Sequence, residues 1–291
     1  MTGVATARIN RSRLWIAFGL TTGYMFAEAV TGLLTNSLAL LADAGHMLTD
    51  AGALGLSLLA IWFSDRSPTP GKSFGYYRAE ILAALLNALV LLLMSFYIIY
   101  EAWARFKNPP TVASWPMLIV ATIGMGVNFA GIRLLGESSG KSLNVKAAYL
   151  EVVSDLLGSL GVLVAGVIML TTGWYLADPI FGAAIGLFIV PRTWKLLKDV
   201  VHILMESAPV DLDLNKLKQA MLSVANVSAI HDLHVWTLTS GVNAMTCHAW
   251  TSDNADNSQV LRDLQRLAKE QFGIEHTTIQ IERGCEKTAP F

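Results

Sequence analysis

Two pairs of ionisable residues lie inside long apolar stretches of the chain, where a charged group is costly. His46 and Asp50 are four residues apart in one stretch, and Glu151 and Asp155 repeat this spacing in another. Residues i and i+4 share one face of a helix, so each pair presents two ligand groups side by side. One imidazole and three carboxylates facing each other would suit Zn²⁺ or a similar divalent ion. The alternative is a set of buried groups that only hydrogen-bond to each other.

The two stretches echo one another at a constant offset. At a separation of 105 residues, similar residue types recur: Ala42 and Ala147, His46 and Glu151, Thr49 and Ser154, Asp50 and Asp155, Ala53 and Gly158. Small residues let two membrane helices approach closely. The echo therefore predicts two helices that present matching faces to each other.

The elements that position these residues are membrane helices. The 291-residue chain is 53% hydrophobic and only 15% charged, with a mean hydropathy of +0.48, whereas soluble domains carry about 25% charged residues. This composition argues against a simple soluble globule and excludes a disordered chain. Six apolar segments each reach the roughly 20 residues that span a bilayer; they cover about 13–34, 38–63, 79–100, 114–135, 146–171 and 175–197. We expect an all-α six-helix membrane domain over residues 1–205.

Loop charges predict the orientation of these helices. Twelve Lys and Arg residues fall on the side that holds the amino terminus, against Arg105 and Lys107 on the other. The positive-inside rule places both termini in the cytoplasm. The expected location is the inner (plasma) membrane, as a multi-pass protein. The first segment is expected to be a retained helix, because its apolar run is too long for a signal peptide and no clear cleavage site follows.

Residues 206–291 are polar and predict a separate cytoplasmic α+β domain. Its elements follow the order α-β-β-α-β, which we interpret as ferredoxin-like, over 211–224, 231–238, 242–250, 258–272 and 274–281. A domain of this size also suits dimerisation. The net charge of −1 gives no attraction to nucleic acid, and two cysteines do not make a disulfide framework.

Several stretches together resemble the cation diffusion facilitators, a family of divalent-metal exporters. The matching segments are 37–50 (SLALLADAGHMLTD), 74–80 (FGYYRAE), 144–155 (NVKAAYLEVVSD) and 231–236 (HDLHVW). The resemblance implies six transmembrane helices, a cytoplasmic α+β domain, a homodimer in membrane lipid, and exchange of metal ions for protons. The chain is most similar to the bacterial cobalt-zinc-cadmium resistance exporters. Glu151 stands where many zinc exporters have His, which argues against strict zinc selectivity.

A second metal site is expected in the cytoplasmic domain. His231 and His248 occupy mirror positions about a turn near residue 240, so antiparallel pairing brings them close. The resemblance adds Glu282 as a carboxylate ligand. Ordinary polar strand residues are the alternative.

Four further residues bear on this expected site. Gln280 stands where some family members have a ligating His, and His234, three residues from His231, is expected on the opposite strand face. His276 and Cys285 are further candidate ligands. The loop after the second helix contains Asp65 but no His, so no metal site is expected there.

The function expected from these features is proton-coupled export of Zn²⁺, and of Co²⁺ or Cd²⁺, from the cytoplasm by a secondary transporter rather than an enzyme. A metallohydrolase is disfavoured, because the His-Glu-x-x-His motif is missing and four protein ligands leave no open position for water. A membrane-bound sensor that binds metal without moving it remains the alternative. Two other acids in the apolar segments each have two possible roles. Asp43 either orients His46 or caps the start of a helix, and Glu28 either relays protons or is a structural partner.

Overall fold

The computed structural model describes residues 2–64, 69–136, 143–239 and 241–283. Six long helices come first: α1 (Thr2–Thr35), α2 (Leu38–Ser64), α3 (Tyr77–Lys107), α4 (Ser114–Gly136), α5 (Leu143–Thr172) and α6 (Ala177–Leu204). Five shorter elements follow: α7 (Leu214–Leu222), β1 (Val227–Thr239), β2 (Val242–Thr251), α8 (Asn257–Phe272) and β3 (His276–Arg283). The chain divides into two compact units, Met1–Asp65 with Ala83–Leu197, and Arg66–Leu82 with Lys198–Phe291.

The helical unit is apolar both inside and outside. Leu40, Ile98 and Met117 are fully or almost fully buried between the helices, whereas Leu34 and Leu93 point outward with 82% and 70% of their surface exposed. Large apolar side chains on the outer face mark a surface that contacts lipid or another protein. Within the described residues, three helices are long and apolar enough to cross a membrane: Tyr77–Lys107, the Asp155–Thr172 part of α5, and Ala177–Leu204.

The start of α2 is held by a side chain from α6. The buried Asp178 carboxylate accepts hydrogen bonds from the Ser37 hydroxyl at 2.6 Å and from the backbone N–H groups of Leu38 and Ala39 at 2.6 and 3.1 Å. The first N–H groups of a helix have no partner within the helix. A carboxylate at this position also interacts favourably with the positive end of the helix dipole. Arg105 of α3 lies 3.6 Å from the same carboxylate. The contact fixes where α2 begins.

The second unit contains a three-stranded sheet in the order β1-β2-β3, with β1 and β2 antiparallel and β2 and β3 parallel. The expected succession α-β-β-α-β is present. Asp213 and Asp256 cap the starts of α7 and α8, and Gly273, at φ +66°, ends α8 in the left-handed conformation that favours glycine. The helix predicted over 211–224 is shorter in the structure. Asp213 caps its start by accepting a hydrogen bond from the Lys216 N–H, so α7 begins only at Leu214.

The segment before α3 belongs to this second unit. The Thr239 hydroxyl donates to Glu80, and Arg78 Nη2 lies 2.7 Å from Glu206 Oε1. The His276 ring packs edge-on against Phe74, with ring centroids 6.2 Å apart. The FGYYRAE motif therefore joins the start of α3 to the end of β1 and the start of β3.

Candidate metal sites

A buried cluster of ligand groups lies where α2 and α5 pack together. His46 Nδ1 is 3.4 Å from Asp50 Oδ2 on the same helix and 3.7 Å from Asp155 Oδ1 on α5. One donor atom from each of the three residues lies within 4.8 Å of the other two. His46 is buried and both Asp side chains are more than four-fifths buried. We call these three residues the membrane cluster.

The fourth expected member of this cluster, Glu151, lies on α5 one turn before Asp155, but its side chain falls outside the described residues. The structure thus brings together three of the four residues, from the two helices that the sequence echo singles out. An imidazole nitrogen and two carboxylate oxygens are ligands that Zn²⁺ takes readily, and Co²⁺ and Cd²⁺ accept the same donors. Three convergent donors can hold a divalent ion and leave a position for a further ligand.

Helix α6 contributes two residues that sequence reasoning missed. Arg192 Nη2 lies 3.8 Å from Asp50 Oδ1, and Phe188, one turn earlier, stacks on the His46 ring at a centroid distance of 6.3 Å. The guanidinium adds a positive charge beside the cluster, and the aromatic ring limits rotation of the imidazole. The i, i+4 spacing of Phe188 and Arg192 was the available signal. Nothing in the sequence indicated which helix face α6 turns inward.

The close approach of α2 and α5 depends on a glycine. A Cβ atom at Gly158 would lie 2.5 Å from Asp43 Oδ1, so a larger residue there would displace the Asp43 carboxylate. Asp43 Oδ2 also accepts a hydrogen bond from the Ser159 hydroxyl at 3.3 Å. Asp43 therefore bridges to α5, one turn before His46. The sequence left two predictions for Asp43. The prediction that it caps the start of α2 is wrong, because Asp178 and Ser37 accept the hydrogen bonds of the first N–H groups there.

A second cluster lies on the outer face of the three-stranded sheet. His231 and His248 pair directly across β1 and β2, with ring centroids 5.0 Å apart. Glu282 of β3 reaches both: its Oε2 is 3.1 Å from His231 Nε2, and its Oε1 is 2.7 Å from His248 Nδ1. The strand pairing expected from the mirror positions is present. We call these three residues the sheet cluster.

The Glu282 carboxylate is kept ionised by its neighbours. Partial desolvation opposes ionisation, but hydrogen bonds with His248 and His231, and from the Trp250 indole and the Gln280 amide, together lower the pKa of Glu282 to about 2. Metal ions bind the deprotonated form of such ligands. The carboxylate is therefore available to a cation at any pH that a cell experiences. Gln280, at the position where some family members have a ligating His, instead donates a hydrogen bond to this carboxylate.

Asp232 also belongs to this region, although sequence reasoning passed over it. Its Oδ2 lies 3.7 Å from His248 Nε2, and its Oδ1 lies 2.8 Å from His234 Nε2. Asp232 has a φ of +51°, and the strand register shifts between His231 and His234. A bulge inserts one extra residue in β1 and turns the following side chains to the other face.

The bulge overturns one expectation. His234 pairs with Thr246, which shares a face with His248 two residues later. His234 thus lies on the same face as His231, and the prediction of opposite faces was wrong because it assumed a regular strand. The His-Asp-x-His spacing was the only signal for Asp232.

Two further candidate ligands are not part of the sheet cluster as described. His276 stands at the opposite end of β3 from Glu282, six residues away, and packs against Phe74 and Tyr77. Cys285 lies outside the described residues, as does Asp65. The other cysteine, Cys247, is buried in the sheet core, and burial raises the pKa of its thiol to about 12. It is therefore a packing residue rather than a ligand.

Comparisons with known proteins match almost the whole chain. The model of the cation efflux transmembrane domain matches residues 14–205, and that of the cation efflux protein cytoplasmic domain matches residues 209–284. The metal cation efflux system protein CzcD of Cupriavidus metallidurans is 45% identical over 281 residues, covering 96% of this chain and 89% of that protein.

Two other relatives are similar at comparable length. A protein of Bacillus subtilis named cadmium, cobalt and zinc/H(+)-K(+) antiporter is 42% identical over 94% of this chain and 89% of its own. The zinc transporter ZitB of Yersinia pestis is 43% identical over 94% of this chain and 88% of its own.

Proposed function

Since the chain belongs to the cation efflux family, we propose that it exports Zn²⁺, and also Co²⁺ and Cd²⁺, from the cytoplasm in exchange for protons. The observation that carries the proposal is the membrane cluster: one imidazole and two carboxylates, buried where two apolar helices meet. Ionisable residues at this depth are costly and mark ion pathways. Cadmium, cobalt and zinc are named for the Bacillus relative, and zinc for the Yersinia relative.

The chemistry of the metal ligands explains how metal transport is coupled to proton transport. A divalent ion binds carboxylates and a neutral imidazole, so protons compete with it for His46, Asp50 and Asp155. On the side where protons are abundant, protonation releases the ion. On the cytoplasmic side, metal displaces the protons. Alternating access of one fixed site through rocking helices completes the cycle, as in other secondary transporters.

The proposal includes a membrane arrangement and an assembly. All six long helices span the inner membrane with both termini in the cytoplasm, which the distribution of Lys and Arg supports. The protein works as a homodimer through a small ferredoxin-like cytoplasmic domain. The match to the cytoplasmic domain model over residues 209–284 supports this assembly.

The sheet cluster is proposed as a regulatory metal site. His231, His248 and Glu282 offer two nitrogens and one ionised oxygen at the surface of the sheet. Metal held there would report the cytoplasmic concentration. It cannot be the transported ion, since the cluster lies on a soluble sheet rather than between the apolar helices.

The test is flux in proteoliposomes that contain the purified full-length protein. With an imposed pH gradient, Zn²⁺, Co²⁺ and Cd²⁺ should enter inside-out vesicles faster than Mn²⁺, and collapsing the gradient should slow entry. Metal binding without flux in any gradient would contradict the proposal and favour a membrane-bound sensor.

A further inference from the structure

A second pair of carboxyl groups is buried beside the membrane cluster and takes no part in it. Glu28 of α1 is fully buried, and neither of its carboxylate oxygens meets a hydrogen-bond partner with acceptable geometry. The Asp43 carboxyl of α2 and the Tyr24 hydroxyl are near enough to act on it electrostatically. Asp43 is itself 3% exposed. We call Glu28 and Asp43 the acid pair.

The hydrogen-bonding neighbours of the acid pair are neutral, and the ionisable groups within electrostatic range are Asp155 of α5 and His46 and Asp50 of α2. On α5, Ser159 donates to Asp43, and on α4, the Asn128 amide lies 3.5 Å from that same Ser159 hydroxyl. The Tyr24 hydroxyl donates to the Val120 carbonyl of α4 at 2.9 Å. In the described part of these helices, no Lys or Arg forms an ion pair with Glu28 or Asp43; the two arginines that approach buried acids there, Arg105 and Arg192, pair with Asp178 and Asp50.

Two buried carboxyl groups without a cation cannot both be ionised at acceptable cost, because each loses its hydration and repels the other. Such pairs share one proton and titrate together. The acid pair itself offers only oxygen donors, without the imidazole or thiolate that Zn²⁺ prefers. The imidazole within electrostatic range, that of His46, belongs to the membrane cluster. The chemistry therefore suits a proton better than the transported metal.

We propose that Glu28 and Asp43 form a proton-binding site separate from the membrane cluster, and that it carries one of the protons exchanged for metal. The inference rests on the proposed function. Asp43 precedes His46 by three residues on α2, and both Glu28 and Asp43 are within electrostatic range of the cluster, Glu28 through Asp155 and Asp43 through His46. A divalent ion entering the cluster repels the shared proton, which leaves to the cytoplasm. When the metal departs on the outer side, a proton from that solvent binds a carboxylate oxygen of the pair again.

The experiment measures protons moved per zinc ion. Full-length wild type and Glu28→Gln are reconstituted with a pH-sensitive dye inside the vesicles, and Zn²⁺ and proton fluxes are recorded together. We expect the proton-to-zinc ratio of Glu28→Gln to fall by one, with a flatter dependence of flux on pH and an unchanged number of zinc ions bound per protein in detergent. The matched control is Glu101→Gln on α3, whose carboxylate is ion-paired with Arg105 and is 28% exposed; its ratio should equal that of the wild type.

Each other outcome overturns the inference in a distinct way. An unchanged ratio and pH profile in Glu28→Gln means that the acid pair is structural. One fewer zinc ion bound means that it is a metal site. A ratio that falls only when K⁺ is present means that it binds an alkali cation. If wild type moves no zinc at all, the proposed function has failed rather than this inference.

Two further experiments test the inference even if Glu28→Gln does not fold. Asp43→Asn removes the other half of the pair and should give the same loss of one proton per zinc. Infrared difference spectra of wild type, with and without Zn²⁺, should show the C=O stretch of a protonated carboxylic acid that disappears when metal binds. Absence of this band in the wild type refutes the inference without any variant.

Discussion

Asp178→Ala should destabilise the protein more than any single change on its exposed surface. The substitution removes the acceptor of three hydrogen bonds at the start of α2: one from Ser37 and two from the backbone N–H groups of Leu38 and Ala39. Leu38 and Ala39 are fully buried, so the two N–H groups cannot turn to solvent. Nothing else in the described contacts replaces the lost carboxylate.

The magnitude follows from these contacts. A buried donor left without a partner costs about 1–3 kcal/mol, so two of them cost about 2–6 kcal/mol. The ion pair with Arg105 adds little, because that guanidinium keeps its bonds to Glu101 and to the Asn36 backbone. For a protein of this size, such a loss lowers the melting temperature by roughly 5–20 °C. Asp178→Asn keeps one acceptor oxygen and should lose about half as much.

Thermal unfolding of the detergent-solubilised protein measures the effect, with Asp199→Ala as the control. Asp199 lies on the same helix, α6, but is exposed, and its loss should change the melting temperature little. Zinc flux at low temperature should also fall in Asp178→Ala, since a frayed start of α2 loosens the helix that carries His46 and Asp50. A melting temperature within about 2 °C of wild type, equivalent to less than about 1 kcal/mol, would refute the capping argument.

Four further predictions concern the two clusters. Asp155→Asn keeps the size of the side chain but removes a charged ligand, so zinc flux should collapse while the protein still inserts; near-normal flux in vesicles would rule out the membrane cluster. Glu151→His should still transport Zn²⁺ but reject Mn²⁺ more strongly and shift the pH profile, because imidazole suits Zn²⁺ and carboxylate suits harder ions; an unchanged metal ranking and pH profile across a flux series would show that Glu151 is not a ligand. The double change His231→Ala with His248→Ala should leave transport measurable but alter its dependence on cytoplasmic metal, and calorimetry should find one binding event fewer; wild-type binding would contradict the regulatory site. Asp232→Asn should weaken that same binding event by about 10–100-fold if the carboxylate orients His248, and unaltered affinity would leave Asp232 with a purely local role in the bulge.

The sequence alone determined most of the organisation of this protein. In the described residues, the six apolar segments coincide with the six long helices, and the strand and turn signals located the elements of the cytoplasmic domain, because both rest on local periodicity. The i, i+4 spacing placed His46 beside Asp50 and marked Asp155 on the matching helix. Mirror positions about one turn were enough to pair His231 with His248, since an antiparallel hairpin fixes its own register.

Tertiary structure decided the contacts that no local pattern encodes. Asp178 caps a helix about 140 residues earlier in the chain, and Arg192 reaches Asp50 from a helix whose inward face the sequence did not indicate. The bulge at Asp232 places the His234 side chain on the same face as His231, whereas regular alternation along the strand would place it on the opposite face. Each of these depends on how separate elements pack or on a single irregular residue. A period of 2 or 3.6 describes one element in isolation, so it cannot carry that information.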